Sequence, residues 1–143
     1  MPGASPTDHH PATAGLKGRG TIVFAWEHSD PDDLFDGTAA SRASLATALA
    51  ARGHPVAMAY AGRPGAPHER QLREWVNRQR EPRLRFAAVP EWNSSTRGMH
   101  FRRDRAHEFY RWLRDLSADD PIPAVVVPDS GGIAYYALLA RQA

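Results

Sequence analysis

The chain has no cysteine in its 143 residues. That excludes disulfides, thiolate metal centres and cysteine nucleophiles. It has a single lysine, Lys17, so nearly all its cations are arginines. Long apolar runs are missing as well. None approaches the ~20 residues that a membrane-spanning helix needs. The N-terminus also lacks the basic and then apolar pattern of a secretory signal. The resulting expectations are no membrane span and a cytoplasmic location. The net charge of +2, with histidines neutral, is too small to argue for nucleic acid. What is present is 42% apolar and 24% charged. This is the composition of an ordinary globular domain, and the length suits one domain with a real core.

Residues 1–19 are rich in Pro, Gly, Ala, Ser and Thr and read as a disordered tail. Order begins at "GTIVFAWE". Thr21 to Trp26 is a nearly continuous apolar, β-rich run, as in a strand buried on both faces. "HSDPDDLFDG" is a loop with Pro31 and Gly37 as breakers. The alanine-rich stretch Thr38 to Arg52 predicts a helix, with Leu45 and Leu49 one turn apart and Gly53 at the stop. A second strand is expected at Val56–Tyr60 and a second helix at His68–Arg80, where Leu72, Trp75 and Val76 share a face. A third strand follows at Leu84–Val89. A third helix runs from about Met99 to Leu116 on a stripe of Ala106, Phe109, Tyr110, Leu113 and Leu116. A fourth strand is expected at Ala124–Val127, a glycine turn after it, and a fourth helix from Ile133 to Arg141. Four strand–helix pairs predict an α/β fold. Its core would be a Rossmann-like parallel sheet of about four strands, ordered 3-2-1-4, with helices on both faces. Ligands of such sheets bind beyond the carboxyl ends of the strands. Two turns therefore matter, Glu27 to Thr38 and Pro128 to Gly132.

The first turn ends in Asp36-Gly37-Thr38 at a helix start, where unpaired N–H groups and the helix dipole favour an anion. Gly37 and Thr38 are candidates for phosphate contact; a loop with an aspartate or threonine cap is the other reading. Both Gly-x-Gly-x-x-Gly and the P-loop Lys-Ser/Thr are absent. In the second turn, Asp129 directly follows an apolar strand. It is either a hydroxyl-binding or basic carboxylate or a helix cap, with Gly131 and Gly132 shaping the turn.

Neither metal nor cofactor is expected. Asp30, Asp32, Asp33 and Asp36 do not follow the spacing of a calcium loop, and the histidines show no ligand spacing. His9 and His10 beside Asp8 lie in the tail. Arg102, Arg103, Arg105, Arg111 and Arg114 are interleaved with Asp104, Glu108 and Asp115. They read as a solvated, ion-paired helix face rather than a nucleic-acid patch.

Two segments carry a family resemblance. "DGTAASRASLATALAARGHPVAMAY" resembles the opening of retaining GT-B-type glycosyltransferases of the glycogen-synthase-like group, the family 4-like N-terminal domain. Leu45, Ala46, Leu49, Gly53, His54 and Val56 fall in its register. "FYRWLRDLSADDPIPAVVVPDSGGIAYYALLARQA" is similar to a later segment of the same domain. Tyr110, Trp112, Leu113, Pro128, Asp129, Gly132, Tyr135, Tyr136, Leu138 and Leu139 match there. The sequence departs from the family at Asp36, which replaces the first glycine of the opening turn, and at Val126, where a histidine is frequent.

The resemblance implies the acceptor-side half of an enzyme that moves a sugar from a nucleotide sugar to an acceptor. Gly37 and Thr38 would lie near the donor diphosphate, and Asp129, Gly131 and Gly132 on the acceptor side. The donor domain lies outside the region of resemblance, which runs from about Gly20 to the C-terminus, so this chain alone is expected to be inactive. The alternative is a small non-catalytic Rossmann-like or flavodoxin-like module that binds a nucleotide or a protein. A last expectation is self-association through an unpaired edge of the fourth strand at Val125–Val127.

Overall fold

The computed structural model describes residues 20–27, 37–91, 101–128 and 132–142. The tail at 1–19 lies outside them, as do the acidic loop at 28–36, Asp129 and Gly131.

The elements alternate as expected. They are β1 (Ile22–Trp26), α1 (Gly37–Ala51), β2 (Val56–Tyr60), α2 (Pro67–Gln79), β3 (Leu84–Ala88), α3 (Phe101–Asp119), β4 (Val125–Val126) and α4 (Tyr135–Gln142). All strand pairs are parallel, in the order β3-β2-β1-β4. Ile22 pairs with Val56, Val56 with Leu84, and Val23 with Val125. The fourth strand is shorter than the expected Ala124–Val127.

Side-chain direction alternates along each strand, and here the alternation also sorts by size. Phe24, Trp26, Met58, Tyr60 and Leu84 point to one face, which α1 and α2 cover. Val23, Ala25, Ala57, Ala59 and Ala87 point to the other, which α3 covers with Phe109, Trp112, Leu113 and Leu116.

α1 meets the bulky face with alanine. Ala39, Ala43, Ala46 and Ala50 are buried, at spacings of three and four, so the helix backbone lies close to the aromatic rings. Leu45, a residue of the expected apolar pair, is 48% exposed instead, and Leu49 is half-buried. α1 stops as expected. Gly53, at φ 99°, donates its N–H to the Ala50 carbonyl, and His54 donates to that of Leu49. These two bonds form the Schellman pattern, in which only glycine holds the left-handed position without strain. On α3, Trp112 takes the buried place expected of Tyr110, which is half-buried.

At the amino end of the sheet, Asp120 is buried. Its carboxylate accepts from the Gly20 N–H (3.1 Å) and the Thr21 hydroxyl (2.7 Å). The Thr21 N–H donates to the Pro121 carbonyl. The start of β1 is thus tied to the end of α3.

Candidate functional site

From β1 the chain proceeds outward to β2 and β3. It then returns along α3 to place β4 on the far side of β1. The switch point of the sheet is therefore between β1 and β4, and sheets of this kind bind ligands in a crevice beyond the carboxyl ends of the strands at that point. Both turns singled out in the sequence lead from these two strands. Gly37 and Thr38 open α1, which follows β1, and Gly132 stands in the turn after β4.

A proline ends the β1–β4 ladder on this side. In a parallel pair the N–H of one strand's residue and the carbonyl of its neighbour alternate in a fixed pattern. Val23 pairs with Val125, and the Val23 N–H donates to the Ala124 carbonyl. Two residues on, the same ladder calls for an N–H at position 128 to reach the Ala25 carbonyl. Pro128 has none, so the ladder ends there. Arg42 takes the vacated acceptor: its guanidinium donates to the Ala25 carbonyl at 3.1 Å. The same guanidinium lies 4.7 Å from the centroid of the Trp26 ring, a cation–π contact that fixes its plane. A cation is thereby held at the carboxyl end of β1. Arg42 follows Gly37 by five residues, roughly 7.5 Å along the helix axis. The first turn of α1 carries no acidic side chain. The helix amino end and the Arg42 guanidinium are two groups here that favour an anion, beside the carboxylate of Glu27 at the end of β1.

Sequence reasoning missed Arg42. Its one signal was that it is the single charged residue in "GTAASRASLATALAA". An isolated charge in an uncharged helix is a reason to ask what it faces. Its partnership with Pro128 depends on the β1–β4 register, which the sequence does not display.

The remaining candidates divide as follows. Gly132 has φ 70° and is exposed, and its carbonyl accepts from the Tyr135 N–H at 3.0 Å. Among the described residues, none lies within 4 Å of where a Cβ would be. Here glycine is demanded by the backbone turn into α4 and not by crowding. Asp129 and Gly131 lie outside the described residues. Tyr135 and Tyr136, matched by the family resemblance, differ in their surroundings. Tyr136 meets His107 edge-on at 5.4 Å, whereas Tyr135 is 57% exposed.

Beside the switch point, the carboxyl ends of β2 and β3 are bound together by one side chain. Arg105 of α3 donates to the carbonyls of Ala61 (3.2 Å), Val89 (3.0 Å) and Pro90 (3.1 Å) and to the Glu108 carboxylate (2.7 Å). Both members of the ion pair are almost wholly buried. This corrects the reading of the α3 charges as one solvated face. Arg103 and Arg114 are exposed and pair with Asp104 and Asp115, but Arg105 and Glu108 are interior. The guanidinium fork satisfies carbonyls that the ends of the strands would otherwise leave buried and unpaired. Nearby, burial pushes the Tyr60 phenol up to about 12, with Glu69 acting in the same direction. Its hydroxyl donates to the Arg63 carbonyl at 3.0 Å.

Among the described residues, no three His, Asp or Glu side chains gather as a metal site would require. None of their helices is long and apolar enough to cross a membrane. Comparison with protein-family models, curated proteins and solved structures gives no significant match.

Proposed function

We propose that this domain forms one wall of a nucleotide-sugar site in a GT-B-type glycosyltransferase, with the donor diphosphate received at the β1–β4 crevice. One observation carries the reading. The proline-terminated ladder leaves Arg42 fixed on Trp26 and the Ala25 carbonyl, at the strand end that α1 follows. A diphosphate carries the charge that such a place favours. Gly37 and Thr38 would offer backbone N–H groups, and Arg42 a guanidinium. Asp129, Gly131 and Gly132 would line the acceptor side. The resemblance assigns the donor nucleotide to a second domain that faces this one. In the assembled cleft the chemistry would rest on electrostatic stabilisation of the departing diphosphate, and this half alone would bind weakly and turn over nothing.

The test is calorimetry of the purified chain against nucleoside diphosphates and nucleotide sugars, beside Gly37→Asp and Arg42→Gln. Weak binding, lost in Gly37→Asp and reduced about ten-fold or more in Arg42→Gln, is the expected result. Binding unaffected by either substitution would move the site elsewhere. Binding of a nucleotide lacking the sugar as tightly as any sugar-bearing form would favour a plain nucleotide-binding module. Transfer or donor hydrolysis above background by this polypeptide alone would contradict the division of labour between the two domains.

A further inference from the structure

α4 is built inside out. Its large apolar residues, Tyr135, Leu138 and Leu139, stand at positions i, i+3 and i+4 and so share one face. That face is in solvent: the three are 57%, 59% and 46% exposed. The small Ala137 is what packs on the core, and no residue of α4 is buried. The only charge on the helix is Arg141. The adjoining strand repeats the theme. β4 is an edge strand, and Val125 is 39% exposed. In register with Val23, its side chain points to the same side of the sheet that α3 and α4 cover. Strand alternation turns the Val125 N–H and C=O away from β1, to the side where no other described strand lies.

The opposite edge is defended. β3 carries Arg85, exposed, and follows Arg83, also exposed, while Arg73 of α2 lies 4.7 Å over the Phe86 ring. Arginines on an edge strand resist pairing with another strand, and two such edges would repel each other. β4 carries no charged side chain, so charge repulsion does not oppose a second copy there, although the strand is two residues long and flanked by Pro123 and Pro128. That copy's own uncharged edge and apolar helix face are the matching surface, since an isologous contact needs a patch that complements itself.

We propose that the chain forms a closed two-fold dimer in which β4 pairs antiparallel with β4 of a second copy. The dyad stands perpendicular to the sheet, so the strand order becomes β3-β2-β1-β4-β4-β1-β2-β3. A perpendicular dyad keeps each face on its own side, and the two α4 helices therefore meet across it. Leu138 and Leu139 of one copy cover those of the other. Both outer edges of the doubled sheet are then the arginine-bearing β3 strands, which stops growth at two.

Sedimentation of the full chain from about 1 µM to about 1 mM covers the range in which an interface this small associates. The expected result is a monomer–dimer equilibrium without larger species, weakened about ten-fold or more by Leu139→Glu and unchanged by Leu45→Glu, an exposed leucine on the other side of the sheet. The absence of native cysteine permits a second readout. Under mild oxidation Leu138→Cys or Leu139→Cys should cross-link into covalent dimers, and Leu45→Cys should not. A monomer throughout the range overturns the proposal. So does open-ended association, a dimer indifferent to Leu139→Glu, or cross-linking at positions 138 and 139 no faster than at 45. Nucleotide binding has no part in this experiment, so it stands or falls apart from the glycosyltransferase reading.

Discussion

The two faces of the sheet solve one packing problem in opposite ways. On the α1 and α2 face the strands supply the volume, with Phe24, Trp26, Met58 and Tyr60, and α1 supplies alanines. On the α3 face the strands are mostly alanine and the helix supplies Phe109, Trp112, Leu113 and Leu116. Interiors close at a fixed density, so bulk on one partner requires smallness on the other. The lesson is that a helix's large residues do not by themselves mark its buried side. α1 hides alanines and exposes Leu45 because the sheet beneath it is already full.

Substitutions can break this division. The largest effect should come from Phe109→Ala, which removes one of the large helix side chains from the face where the strands are mostly alanine. Phe109 is fully buried and stacks on Trp112 with ring centroids 6.1 Å apart. A loss of about 3–5 kcal/mol in denaturant unfolding is expected, and a loss below about 1 kcal/mol would mean that the alanine-lined face collapses to fill the space.

The next effect is alkaline. Tyr60 belongs to the bulky face, and its phenol titrates at about 12 in the fold against an unfolded value near 10. A raised folded value leaves this stabilisation intact below the unfolded pKa. It is then lost as pH rises through the window up to about 12, by about 3 kcal/mol at most. Unfolding measured across that window should fall more steeply for the native chain than for Tyr60→Phe; parallel curves would show a phenol that ionises freely in the fold.

The smallest effects sharpen the contrast between neighbours on α1. Ala46→Leu should cost about 1–3 kcal/mol by overpacking against the rings, although leucine is as good a helix former and more hydrophobic. Leu45→Ala, one residue earlier, should change stability by no more than about 0.5 kcal/mol. The reverse order would place the buried stripe on the leucine side.

The order of the elements and the strand sequence 3-2-1-4 were legible because alternation and crossover handedness leave few other arrangements. Gly53 was legible as a stop because a helix ending there needs a left-handed residue. The size sorting was hidden in plain view. "IVFAW" and "VAMAY" alternate small and large, but both read as continuously apolar, and hydropathy alone does not register volume. Arg105 was misjudged because it stands in a run of charges along α3 that includes exposed arginines such as Arg103 and Arg114; only the fold brings the carbonyls of Ala61, Val89 and Pro90 to it. Pro128 stood in the sequence as the first residue of a turn. Its effect on Ala25, and hence on Arg42, depends on pairing between segments about a hundred residues apart.

That separation also bears on how the chain is made. Of the four described strands β1 is synthesised first, yet it ends up in the interior of the sheet, and its last partners are Asp120, Pro121 and Val125. Synthesis at about 5–20 residues per second puts those partners roughly 5–20 seconds behind Thr21. For that interval one edge of a wholly apolar strand stands open while β2, itself backed by β3, can already pair with the other. A nascent chain of this design has its most exposed moment just before α3 and β4 emerge, which is when a holding chaperone would find the most to bind.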